Sequence, residues 1–198
     1  MGARNRTCEL LGILVACTVL APLAHAVELN LGQVASPEEV AGWNIDVFPD
    51  GTNLPAGMGT VLHGKEVYMA SCAGCHGASL EGGLGPALTG GKGSLTSQKP
   101  LKTVGSYWPY ATTLFDYVRR AMPFQAPQSL SNEDVYSVSG YILSVNGLLA
   151  SDATVDASVL TKLQMPNRNS FYVDDRPDAM TPRCMRNCNV GPTTAVSR

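Results

Sequence analysis

Apolar residues fill positions 10–23 almost without interruption, directly behind Arg4 and Arg6. Ala24-His25-Ala26 then places small residues where a signal peptidase requires them. A run this short, broken by Pro22, is poorly suited to crossing a bilayer, so residues 1–26 read as a signal peptide with no permanent membrane span. Leu14-Val15-Ala16-Cys17 also has the form of a bacterial lipobox, which would instead leave a lipid on Cys17. Further on, the apolar positions take up a helical period. Residues 60–73 place Val61, Tyr68 and Cys72 near one face, and Gly64 leaves room for a second helix to approach. Residues 111–120 form another helical segment, ended by Met122-Pro123. Ser131 reads as an N-cap before Glu133 and Asp134, and Val135, Val138, Tyr141, Ile142 and Val145 make an apolar stripe that stops at Asn146-Gly147. The pattern predicts an all-α domain over residues 59–149, with the first and last of these helices crossing at Gly64, Tyr68 and Tyr141.

The flanking stretches, an N-terminal extension at 27–58 and a C-terminal extension at 150–198, are different in kind. Both are rich in Pro, Gly, Asp and Asn, with scattered large apolar residues such as Trp43, Ile45, Phe48, Leu160, Met165 and Phe171. Such segments are expected to be extended and ordered only by packing on something. They can wrap their own domain, embrace a partner chain, or do both.

Composition adds exclusions. The chain has 198 residues, 44% of them hydrophobic and 15% charged, which suits one globular domain with extensions. Fourteen Lys and Arg against 16 Asp and Glu leave no basic surplus for nucleic acid, nor a large uniform field for steering a partner. Export would place the remaining cysteines in an oxidising compartment, where Cys72 with Cys75, and Cys184 with Cys188, each require an explanation.

Cys72-Ala73-Gly74-Cys75-His76 is the C-x-x-C-H pattern of covalent haem attachment. Two thiols one helical turn apart can add to the two vinyl groups of one porphyrin edge, and the adjacent imidazole reaches the iron. The competing reading is a redox or disulfide pair with an idle histidine; zinc is poorly served, because His63, Cys184 and Cys188 are the other soft ligands of the mature chain. A ligating imidazole also needs an acceptor for its other ring N–H. In haem proteins of this type the carbonyl of a proline in a glycine-rich turn supplies it, and Pro86, within Gly82-Gly83-Leu84-Gly85-Pro86, is the candidate; a plain turn proline is the alternative.

For the second axial position, His63 lies on the same predicted helix as the motif, about 20 Å away along its axis. Met122 follows a helix, precedes Pro123 and comes before the final helix, which suits a thioether presented from a turn. Met165, also followed by proline, is the competitor. A His76 and Met122 pair raises the potential and fills the iron, favouring electron transfer over oxygen chemistry. No nucleophile or general base is identifiable, so catalysis is expected to occur in another subunit.

On these residues the chain resembles class I cytochromes c, from the Gly64/Tyr68 helix through Cys72-Ala73-Gly74-Cys75-His76, the Gly85-Pro86 turn and Met122-Pro123 to the Tyr141 helix. Beyond that core, the runs starting at Trp43-Asn44-Ile45-Asp46-Val47-Phe48 and Gly105-Ser106-Tyr107-Trp108-Pro109-Tyr110, with Met165-Pro166-Asn167-Arg168 and Arg183-Cys184-Met185-Arg186-Asn187-Cys188, resemble the cytochrome subunits (SoxD) of periplasmic sulfur dehydrogenases and related sulfite dehydrogenases. The resemblance implies one covalent haem c bound by Cys72 and Cys75 and ligated by His76 and Met122. It further implies a periplasmic location, a molybdenum-cofactor dehydrogenase subunit as electron donor, and a soluble cytochrome c as acceptor. Longer members of that family carry two haem domains, whereas this chain has one C-x-x-C-H, which leaves the acceptor open. A freely diffusing electron carrier without a permanent partner is the alternative. Cys184 and Cys188 are close enough for a local disulfide; a bond to a partner and a redox-active pair are the other possibilities.

Overall fold

The computed structural model describes residues 32–176. The expected signal peptide, Cys17 and the Cys184/Cys188 pair lie outside the described residues. The chain divides into two units, Met1–Trp43 and Asn44–Arg198. In the first, helix α1 (Pro37–Trp43) starts at a reciprocal cap, with the Glu39 N–H donating to Ser36 Oγ and the Ser36 N–H donating to the Glu39 carboxylate, and it buries none of its residues.

The second unit carries the elements β1 (Met58–Thr60), α2 (Val61–Ser71), α3 (Ala73–His76), α4 (Ala111–Ala121), α5 (Asn132–Val145), β2 (Thr154–Asp156) and α6 (Ala157–Lys162). Helix α2 begins where Thr60 accepts the His63 N–H, and it crosses α5 at Gly64. A Cβ at Gly64 would sit 1.9 Å from the Ser137 carbonyl oxygen, so only glycine permits this approach. Tyr68 and Tyr141 meet beside the crossing with ring centroids 5.4 Å apart. Helix α5 starts at a full capping box between Ser131 and Asp134, and its end at Asn146 and the positive-φ Gly147 returns the Leu148 N–H to the Leu143 carbonyl. Helix α4 packs on α5 through Phe115 and Tyr136, whose centroids are 4.5 Å apart.

Residues on either side of the helical core close onto it. β1 and β2 pair antiparallel, with Gly59 opposite Val155, and the ribbon lies against α5: Val155 is fully buried, and a Cβ at Gly140 would meet its Cγ2 at 2.7 Å. Val47 is buried ahead of the ribbon; Leu160, Met165 and Asn167 are buried after it. As far as it is described, then, much of each extension within this unit wraps the chain's own domain. Met165 in particular belongs to the hydrophobic core, although the periodic pattern stops before it.

Candidate functional site

Helix α2 ends at Ser71, and Cys72 links it to the short turn α3. The Cys75 and His76 N–H groups both donate to the Cys72 carbonyl, and the Gly77 N–H donates to the Ala73 carbonyl. This tight turn brings Cys72, Cys75 and His76 together. Tyr68 anchors its exit: the hydroxyl donates to the Gly77 carbonyl at 2.7 Å. Burial, then the neighbouring Cys72, Glu81 and Tyr141, push the Tyr68 phenol up to about 12, which keeps it a neutral donor.

The glycine-rich loop folds back over the same turn. Gly82 N–H donates to the His76 carbonyl at 2.7 Å and Gly85 N–H to the Cys75 carbonyl at 2.8 Å. A Cβ at Gly85 would stand 2.8 Å from His76 Cε1, so glycine is what lets the backbone lie against the imidazole. The Pro86 carbonyl then lies 2.8 Å from His76 Nδ1. A carbonyl only accepts, so Nδ1 carries the proton and Nε2 keeps its lone pair for a metal.

Cys72 and Cys75 are both half-buried and form no disulfide with each other. Burial, with a smaller contribution from Cys75, pushes the Cys72 thiol up to about 11. The donor set of two thiols one turn apart and an oriented imidazole fits a covalently bound haem c.

Met122 is the C-cap of α4, its N–H donating to the Val118 carbonyl, and its half-buried side chain packs against the core. Met165 is 3% exposed and enclosed by that core. His63 is engaged elsewhere: Nε2 is 2.8 Å from Asp134 Oδ1 and Nδ1 is 3.3 Å from Glu66 Oε2.

Residues 61–146 match the family model of cytochrome c. One chain in the crystal structure of the sulfane dehydrogenase SoxCD from Paracoccus pantotrophus is 43% identical, over 83% of this chain and 84% of that one, with a TM-score of 0.70. The chain belongs to the cytochrome c family. Its fold is accordingly the cytochrome c fold, helical with little strand, and the family carries haem c covalently. This cytochrome is also 26% identical over 133 residues to a thiosulfate dehydrogenase from Allochromatium vinosum, covering 64% of this chain and 43% of that protein's length.

Three features of this cytochrome have little signal in the pattern of residues. The Tyr68 hydroxyl contact is one, since a tyrosine at that position reads equally well as a plain core aromatic. The His63 pairing with Asp134 is another. The third is the use of Arg119 and Arg120: Arg119 donates to the Ile45 carbonyl, and Arg120 pairs with Asp116 and Asp46.

Proposed function

We propose that this cytochrome is an exported mono-haem electron-transfer subunit. In this reading it takes electrons from a molybdenum-cofactor dehydrogenase chain acting on a sulfur compound and passes them to a soluble cytochrome c. The observation that carries the proposal is the extent of the likeness to the SoxCD chain. At 83% of this chain it reaches well past residues 61–146, the span that any cytochrome c shares, into the segments around the domain. Cys72 and Cys75 would hold the haem, His76 Nε2 and the Met122 thioether would ligate its iron, and Pro86 would fix the imidazole tautomer. When bound, haem c supplies one-electron redox chemistry. The chain's own residues orient the imidazole, present the thioether and bury the surrounding apolar surface.

The partner would dock where the domain leaves apolar surface unused. Tyr172 and Val173 are almost fully exposed, next to Phe171, which meets Tyr107 edge-on. Among the described residues no helix is long and apolar enough to cross a membrane. The test is purification of the native chain from its source. Co-elution with a molybdopterin-containing polypeptide, one covalent haem by mass and a mature N-terminus at Val27 are expected. A persistent haem-bearing monomer would favour the freely diffusing carrier and reject the dehydrogenase complex.

A further inference from the structure

Helix α4 has a second set of contacts that the haem turn does not use. Asp116, on its penultimate turn, is 8% exposed. Its Oδ1 accepts the Val47 N–H at 2.7 Å and Arg120 Nε at 2.9 Å, and its Oδ2 accepts Arg120 Nη2 at 2.6 Å. Arg120 Nη1 continues to Asp46 Oδ1 at 3.1 Å. One residue earlier, Arg119 Nη1 donates to the Ile45 carbonyl at 3.2 Å. Residues 45–47 therefore form a strap across the last turns of α4, with the Val47 side chain sunk in the core beneath it.

The place where this clamp acts is significant. Met122 caps α4 two residues after Arg120, and its backbone is tied to Val118, which lies between Asp116 and Arg120 on the same helix. A bidentate guanidinium–carboxylate pair is the strongest of the ordinary side-chain contacts and fixes direction as well as distance. Both partners are on the helix that ends in the methionine, and both are held by one short piece of chain from a remote part of the sequence.

We propose that Asp116 and Arg120, through the strap at residues 45–47, are positioning residues for the Met122 thioether and set how readily it leaves the iron. This rests on Met122 being the sixth ligand. The arrangement makes the N-terminal strap a determinant of ligand exchange: when it lifts, the end of α4 loses its anchor and the sixth position becomes accessible to an outside ligand.

The test uses the full haem-loaded chain in the oxidised state, with imidazole as the probe and its binding rate as the readout. Asp116→Asn keeps the size and an acceptor for the Val47 N–H but opposes amide hydrogens to the guanidinium. Arg120→Gln removes the other partner at a side chain that is 41% exposed and takes no apolar packing from the core. Each should speed imidazole binding by about tenfold, the ratio that losing one charge-assisted hydrogen bond supports. Ser131→Ala, which removes the capping box of α5 and touches none of the proposed haem-binding residues, should leave the rate unchanged at a comparable cost in thermal stability. Met122→Ala separates the two layers of the argument. If it binds imidazole no faster than the native chain, the ligand assignment falls and the positioning role with it. If Met122→Ala is fast while Asp116→Asn and Arg120→Gln match the native rate, the assignment stands and the positioning role is overturned.

Discussion

The two sides of the proposed haem site are built on different scales of the chain. The hydrogen bonds on His76 itself are local: the imidazole and its Pro86 acceptor are 10 residues apart, and the Gly82 and Gly85 contacts fall inside the same short loop. Around Met122 the support is remote, with Asp116 held by Val47 across 69 residues and Arg119 by Ile45 across 74. Closing a 69-residue loop rather than a 10-residue one costs roughly 1.7 kcal/mol more in chain entropy. If His76 and Met122 ligate the haem as proposed, the difference predicts a histidine side held by a turn and a methionine side that depends on tertiary packing and opens first.

The largest test of this contrast is Phe115→Ala. Phe115, on α4, is fully buried against Tyr136 of α5, and truncation should cost about 3–5 kcal/mol in a urea melt. The account predicts that the methionine–iron charge-transfer band disappears at lower urea than helical circular dichroism; coincident loss would erase the asymmetry. Gly85→Ala probes the other side. Its Cβ would press on the imidazole, costing about 1–3 kcal/mol and shifting the haem spectrum with it. An unshifted spectrum would mean that the loop does not orient His76. Tyr68→Phe removes the donor to Gly77 and should cost about 1 kcal/mol in thermal unfolding.

The smallest effect is a pH dependence at the other end of α2. Hydrogen bonds donated to Asp134 and then Glu66 raise the His63 pKa, while those accepted from Ser131 and then His63 lower that of Asp134. The raised histidine stabilises the fold fully below its unfolded pKa of about 6.5 and ceases to as pH climbs through its folded value. The lowered carboxylate contributes above its unfolded pKa of about 3.9 and loses that contribution as pH falls through its folded value. The pair therefore helps most between about pH 4 and 6.5. Solvent screening holds the effect below about 1 kcal/mol, so the native chain minus His63→Gln should show a shallow stability maximum there that high salt flattens.

The same asymmetry decides what could be read without a structure. The C-x-x-C-H turn, the Gly85-Pro86 loop, the capping box at Ser131 and the close crossing at Gly64 are local or periodic features, and each is legible in the residues themselves. The strap is not. Val47, Asp116 and Arg120 form no motif, because their relation exists only once α4 is folded against a distant segment. Met165 shows the same limit: it follows the last periodic helix, yet the ribbon of β1 and β2 and helix α6 carry the chain back so that it joins the core. Composition alone allowed the extensions either to wrap the domain or to embrace a partner, and packing shows the first for the buried residues on each side.

The most direct test of the account is the oxidised absorption spectrum of the haem-loaded chain and two variants, read at the weak methionine–iron band near the red edge. The account predicts the band in the native protein and in Met165→Leu, a conservative change in the core, and its loss in Met122→Ala. A band that survives Met122→Ala, or that vanishes in a folded Met165→Leu chain, would contradict the His76 and Met122 pair on which the proposed function rests.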